Sequence, residues 1–302
     1  MSVLGGGGKG RTATSLCPAG AVTLRQRCLA ALSCSTFARD LYASVSRLPV
    51  LGPMVRRTAG RVLAVGDRIW VRIPEGLCQG LWLRVEARFE SQFLNGQYEL
   101  QAQEILRKYL RPAGCFYDIG AHVGFLSICA SRIVGESGVV MAFEPDPENA
   151  QVLREVAERN GLLQLKVIEA AVWSSSGPIE FQRAPKSSSR VDGQVGPVAN
   201  WNDENRVLVD GVSLDDFVFN NKSRPPDLLK LDVEAAESEV LKGASRLFDN
   251  HAPILLCEVH NAKNEAGVSE WLAQRGYEFR SLTIRRPFPF HILGFRKERL
   301  GK

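Results

Sequence analysis

The seven cysteines of this 302-residue chain include no C-x-x-C pair, and their number is odd. Neither a zinc site nor a disulfide framework is expected from that pattern. Cys115, Cys129 and Cys257 lie in apolar runs and read as small core residues, so reduced thiols in a cytoplasmic protein are the simple account. No apolar run approaches the roughly 18 residues of a membrane-spanning helix, and CLAALSCSTFARDLY is too short and interrupted for a secretory signal. Acids are almost missing from residues 1–61, where nine Lys and Arg stand against Asp40 alone, a balance of +8. The remaining residues carry 29 basic and 32 acidic side chains, a balance of −3, so the head alone makes the protein basic. A mildly acidic body argues against a broad phosphate-binding face, and nucleic acid is not the expected partner. The head stays open between a targeting segment, a basic docking arm that reaches anionic lipid peripherally, and a solvated, partly helical terminus.

Three divisions follow from the patterning: the basic segment 1–61, a small β-hairpin region 62–97, and a main domain 98–302. In RIWVRIPEGLCQGLWLRV, Ile69, Val71 and Ile73 alternate with Trp70 and Arg72, and Pro74-Glu75-Gly76 is a turn. YELQAQEILRKYL reads as a helix with Leu100, Ile105, Leu106, Tyr109 and Leu110 on its apolar stripe, ended by Pro112 and Gly114. Strands and helices then alternate. CFYDIG, GVVMAFEP, LKVIEAAVW, PDLLKLDVE and APILLCEVH are strands, GPIEF is a short extra one, and the end is two strands joined by a Pro-rich link. VGFLSICASRIVG, PENAQVLREVAERNG, AAESEVLKGASRLF and GVSEWLAQRG are the helices between them. This order predicts an α/β fold with a doubly wound, mostly parallel sheet of seven strands, behind an N-terminal extension. The segment 184–205 is polar and rich in Gly, Pro and Ser, and is expected to be a loop over the acceptor or a surface insertion.

Ligands of such sheets bind at the carboxyl ends of the strands, where the strand order reverses. Chemistry is therefore expected at Asp118–Gly124, Glu144, Ala170–Val172 with Ala171 at its centre, Asp232–Glu234 and Glu258–His260. In CFYDIGAHVGF the pattern is Asp118-x-Gly120-x-His122-x-Gly124, which lacks the G-x-G-x-x-G spacing of a dinucleotide turn, and no G-K-[ST] follows it. A carboxylate in the turn repels a pyrophosphate and welcomes a cation or an amine. S-adenosylmethionine, with an amino-acid tail, a sulfonium and an adenosine, satisfies that constraint. Gly120 and Gly124 let the backbone close round it, Asp118 takes the amine, and His122 bonds the tail. Glu144, 24 residues after Gly120 at the end of the next strand, can accept both ribose hydroxyls.

These residues carry a family resemblance. FYDIGAHVGFLSICASRIVGESGVVMAFEPDPENAQVLREVAERNGL resembles the first half of an FkbM-type, class I S-adenosylmethionine-dependent methyltransferase. VSLDDF, PDLLKLDVEAAESEVLKGASRLF and PILLCEVH continue it over roughly residues 85–282. The family usually has Asn in place of His122 and Gly in place of Ala235, departures that touch the cofactor turn and the space beside it. The resemblance implies O-methylation of a hydroxyl on a sugar, glycolipid or secondary metabolite. Asp232, Glu234, Glu258 and His260 are the candidates for the proton acceptor, and Glu234 and Glu237 read equally as a solvated first helical turn. No metal is assigned. No N-P-P-[YF] stretch follows the fourth strand, which favours oxygen over nitrogen as acceptor atom. An RNA or protein methyltransferase docking through the head, and a cofactor-binding protein without turnover, are the competing readings.

Overall fold

The computed structural model describes residues 68–86, 90–183, 194–195, 203–283 and 287–297. The basic head and most of the 184–205 loop lie outside the described residues. Seven strands form the main sheet, in the order β12-β13-β11-β10-β3-β4-β5. They are β3 (Cys115–Ile119), β4 (Val139–Phe143), β5 (Leu165–Ile168), β10 (Leu228–Leu231), β11 (Ile254–Val259), β12 (Glu278–Ser281) and β13 (Phe290–Phe295). The first five pair in parallel, and β13 runs antiparallel to both its neighbours. This is the doubly wound α/β arrangement expected of the alternating pattern. The chain leaves β3 toward β4 and β5, then returns to lay β10 on the other side of β3, so the order reverses between β3 and β10. That reversal opens the crevice in which the site lies.

Residues of β3 alternate between two cores. Phe116 joins a cluster with Leu106 of α1 (Leu100–Tyr109), Ile128 of α2 (Phe125–Val134) and Leu153 of α3 (Pro147–Arg159). Tyr117 and Ile119 face the opposite cluster, with Val240 of α4 (Glu237–Lys242), Leu247 of α5 (Ser245–His251) and Leu272 of α6 (Ala262–Gln274). Each fully buried side chain of this kind contributes roughly 1.5–3 kcal/mol. Leu100, expected on the apolar stripe of α1, is 51% exposed. It is the first helical residue and lies ahead of the turns that meet the sheet.

The N-terminal hairpin, β1 (Arg68–Arg72) against β2 (Trp82–Glu86), buries Ile69, Val71, Leu83 and Val85 in the same cluster as α2 and α3. Asn160 seals this junction, accepting from the Trp82 N–H and donating to its carbonyl, both at 2.7 Å. The Arg159 guanidinium lies over the rings of Trp70 and Trp82. The loop between the two strands brings Cys78 to Cys129 of α2, their Cα atoms 5.0 Å apart, and the two form a disulfide. This corrects the reading of Cys129 as a free core thiol; a separation of 51 residues carries no local signal. Cys78→Ser is expected to cost about 2–4 kcal/mol in urea unfolding without reductant and little more than a core substitution with it.

Two expected elements divide. LKVIEAAVW bends after Ile168, and β6 (Ala171–Val172) joins a second sheet ordered β6-β9-β7-β8. That sheet also holds β7 (Gly177–Gln182), β8 (Gln194–Val195) and β9 (Arg206–Val212), the last of which the sequence pattern did not reveal. The expected helix 235–248 breaks into α4 and α5 at Gly243, where a Cβ would lie 2.3 Å from the Trp173 carbonyl, just beyond β6. Asp215, in the VSLDDF stretch, accepts the Arg246 and Leu247 N–H groups and caps α5 from outside. The last helix begins earlier than expected because Asn261 caps it by accepting the Asn264 N–H. Among the described residues no helix is long and apolar enough to cross a membrane.

Candidate active site

The turn after β3 is shaped by close approach. A Cβ on Gly120 would lie 1.8 Å from the Asp232 carbonyl oxygen, and one on Gly124 would lie 1.9 Å from Leu153. Gly120 therefore lets the ends of β3 and β10 meet, while Gly124 serves the packing of α2 on α3. His122 stands between them at φ 51°, in the left-handed region where Asn is better tolerated. Its N–H donates to Glu144 Oε2 at 2.8 Å, its ring stacks on Phe93, and Nε2 lies 3.5 Å from Glu90 Oε1. Burial, helped by the charges of Arg68 and Lys230, lowers its pKa to about 3, so the imidazole is neutral.

Asp118 Oδ2 accepts the Ser127 hydroxyl at 2.5 Å, while the buried Oδ1 has no hydrogen-bond partner and lies 4.0 Å from Lys230 Nζ. Burial pushes the Asp118 pKa up to about 6 despite Lys230. Glu144 is also buried. Its Oε2 holds the His122 N–H and its Oε1 the Asp146 N–H at 2.9 Å, and burial raises its pKa to about 7. Asp118, Gly120, His122, Glu144, Ala171 and Asp232 line one cavity, together with Glu234 and the unforeseen Lys230 and Phe181. Phe93 of the N-terminal extension lines it too, with Tyr98 and Glu99 from the start of the main domain. Gly124, Glu258 and His260 do not line it.

Lys230, inside the apolar LLKL strand, is in register with Asp118. Its Nζ donates to Asp232 Oδ2 at 2.9 Å and to the Gly120 carbonyl at 3.4 Å. Burial alone would lower its pKa, but Asp232, Glu99 and Asp118 hold it well above the ordinary value. Burial opposes the charge of Asp232 in turn, and Lys230 keeps that carboxyl below its usual range.

Beyond Asp232 stands His260. Its Nδ1 contacts Glu237 Oε1 at 2.6 Å. Its Nε2 lies 3.6 Å from Asp232, 3.7 Å from Glu234 and 3.9 Å from Glu258. Burial would lower the His260 pKa, but the bond to Glu237 and the charges of Glu234 and Asp232 raise it to about 9. Glu258 is pushed up to about 9 by burial and by Asp232 and Glu99, so it is protonated at neutral pH and unsuited to accept a proton. Glu237 is fully buried, which corrects its reading as part of a solvated helical turn. One donor atom each from Asp232, Glu234 and His260 gathers within 4.8 Å, close enough for a cation. The same gathering suits a protonated imidazole among carboxylates, and the corner is read in those terms.

Glu234 and Ala235 adopt φ 48° and 74°, two successive left-handed residues that turn the chain from Asp232 into α4. A non-glycine residue there costs about 1–2 kcal/mol. Ala235→Gly is expected to stabilise the fold by about 0.5–1 kcal/mol after the added freedom of the unfolded chain, read as a higher urea midpoint. A lower midpoint would show that the Ala235 methyl makes a packing contact worth more than the strain.

Comparison with known proteins bears on this geometry. The methyltransferase FkbM domain matches residues 118–279, more than half of the chain. Hexuronic acid methyltransferase AglP of Haloferax volcanii is 25% identical over 178 residues, 57% of this chain and 68% of that protein. The ribosomal protein L11 methyltransferase of Pelotomaculum thermopropionicum is 41% identical over 58 residues, 19% of this chain and 18% of that protein. Among solved structures, methyltransferase FkbM of Methylobacillus flagellatus KT aligns at a TM-score of 0.45 and 19% identity. That alignment covers 64% of this chain and 50% of the other, so the chain spans half the length of that relative. The domain match begins at Asp118 and runs through Glu144, Asp232 and His260, and the chain belongs to the FkbM methyltransferase domain family.

Proposed function

We propose that this chain transfers a methyl group from S-adenosylmethionine to a hydroxyl of a small-molecule acceptor of the sugar or glycolipid kind. The observation that carries the reading is the meeting of two chemically distinct halves across the β3/β10 reversal. On one side Asp118, Gly120 and Glu144 frame the cavity; on the other Lys230, Asp232 and His260 form a charged corner. The residues present fit the cofactor. Asp118 Oδ1 is a buried oxygen without a hydrogen-bond partner, which an amine would satisfy. Glu144 keeps lone pairs for ribose hydroxyls beyond the two N–H groups it holds. Phe143, Ala171 and Phe181 give the apolar surface an adenine needs.

When bound, the cofactor supplies an electrophilic methyl on sulfur. The chain's part is to align the acceptor and to take its proton. Alignment supplies effective molarities of about 10⁵–10⁸ M and a general base about 10²–10⁴-fold, so alignment is the larger effect. Asp232 is the proton acceptor favoured by the geometry, because it lines the cavity and Lys230 keeps it ionised, whereas Glu258 and His260, each pushed up to about 9, hold their own protons at neutral pH. The similarity to a hexuronic acid methyltransferase supports a sugar as acceptor. Calorimetric titration with S-adenosylhomocysteine, beside NAD, tests the reading: micromolar binding of the first with none of the second is expected, and no binding of the first would sink it.

A further inference from the structure

Arg183 stands just past β7 and does not line the cavity, yet it binds the segment that carries Glu144. Resting on S-adenosylmethionine as the cofactor and Glu144 as its ribose contact, we propose that Arg183 is a positioning residue for cofactor binding. Its bonds to Asp146 hold Phe181 of β7 over the site, as the wall that meets the adenine.

The latch is a forked ion pair. Arg183 Nε donates to Asp146 Oδ2 at 2.8 Å and Nη2 to Oδ1 at 3.0 Å, and Nη2 also reaches Glu148 Oε1 at 2.9 Å. A fork of this kind fixes orientation as well as charge, which an ammonium group does not. The two side chains are 24% and 13% exposed, so water screens the pair only in part. Asp146 is itself held firmly. It stands between Pro145 and Pro147, caps α3 by accepting the Glu148 N–H, and gives its own N–H to Glu144 Oε1. One short segment therefore carries both Glu144 and the anchor of Arg183.

The topology explains why a latch is needed there. The second sheet is rooted at β6, where Ala171 pairs with Gly211 of β9, and Gly211 pairs in turn with Gly177 of β7. Phe181 lies farther along β7, opposite Val207 and roughly 13 Å from that root. It is the one buried residue of β7, it lines the cavity, and it belongs to neither core cluster of the described residues. Core packing therefore does not hold it in place. A second cavity, lined by Pro145 and Pro147 and by Pro178 and Leu208 of the second sheet, leaves part of this arm without apolar packing on α3, and Leu208 is 70% exposed. Across that gap Arg183 ties the end of β7 to the start of α3. Its own N–H donates to the Asn205 carbonyl at 2.9 Å, so the tie reaches the start of β9 as well. With the latch broken the arm can open, and an open arm takes the apolar wall away from the site. Affinity then falls with the fraction of chains that stay closed.

Calorimetric titration of the full chain with S-adenosylhomocysteine tests this in a cycle of wild type, Arg183→Met, Phe181→Ala and the double variant. Methionine keeps much of the stem and removes the fork. Arg183→Met should raise Kd by about 5–20-fold, and Arg183→Lys, which keeps the charge and loses one prong, should fall between it and the wild type. In the Phe181→Ala background the same Arg183→Met change should alter Kd by less than about twofold, because Arg183 acts through that ring. A merely structural Arg183 would lower the urea midpoint and leave Kd unchanged, which overturns the proposal. An equal loss with and without Phe181 also overturns it, since Arg183 would then act by another route. If Arg183→Met does not fold, Arg183→Lys in the same cycle decides the matter. A wild-type chain that does not bind S-adenosylhomocysteine overturns the cofactor reading itself, whereas a wild type that binds, with Arg183→Met as tight, overturns this proposal alone.

Discussion

Lys230→Met should destabilise the protein by about 3–5 kcal/mol near neutral pH, the largest single effect expected in this structure. The side chain is 4% exposed, and three carboxylates, Asp232, Glu99 and Asp118, all hold its charge. Methionine replaces the stem at little steric cost and removes the cation, leaving those acids to face one another in a desolvated pocket. The effect has a sign in pH. Lys230 holds the folded pKa of Asp232 low, so this part of the stability is present above the ordinary carboxylate pKa and fades as pH falls through the folded value. In the variant the acids take up protons more readily, so the loss should be greater at pH 8 than at pH 5. Urea unfolding of both proteins at the two pH values measures it. A loss below about 1 kcal/mol at both would mean that solvent, and not Lys230, compensates these acids.

Lys230 also marks the limit of what the sequence discloses. A lysine in LLKLD reads as an interruption of an apolar strand, and only the register of β10 against β3 sets it beside Asp118. The alternation of strands and helices was plain because period-2 and period-3.6 patterns are local, and so were the acids and His260 at strand ends. Where one element abuts another, locality fails. LKVIEAAVW is mostly apolar and reads as one strand, yet it serves two sheets; most of β9 alternates exposed and half-buried residues without a strong apolar run. AAESEVLKGASRLF has helical periodicity across Gly243, and the break falls where the Trp173 carbonyl, just beyond β6 and distant in sequence, packs against that glycine. Glu237 has the composition of a solvated helix start and is buried because two left-handed residues before it redirect the chain. The Cys78–Cys129 pair depends likewise on how the hairpin loop docks on α2.

Glu144→Ala should weaken S-adenosylhomocysteine binding by about 2–4 kcal/mol, a factor of roughly 30–1,000 in Kd, through the loss of two charge-assisted hydrogen bonds to the ribose. The same carboxylate holds the His122 and Asp146 N–H groups, so part of any effect could come from a loosened turn. Glu144→Gln separates the two contributions: it preserves one acceptor oxygen and the side-chain volume, and its affinity should fall between those of the other two proteins. The pH dependence gives an independent check. Burial raises the Glu144 pKa to about 7, and the ionised form is the one that accepts two hydroxyls. Wild-type affinity should therefore strengthen between pH 6 and pH 8, and in Glu144→Gln the rise above pH 7 should vanish, leaving only the earlier one from Asp118, whose pKa lies at about 6. A Glu144→Ala chain that binds as the wild type does would detach Glu144 from the ribose and leave it as the clasp between the β3 turn and the start of α3. A flat wild-type profile with a weakened variant would assign the loss to the turn. Only the combination of a weakened variant and a profile that rises through pH 7 in the wild type alone supports the carboxylate as the ribose contact.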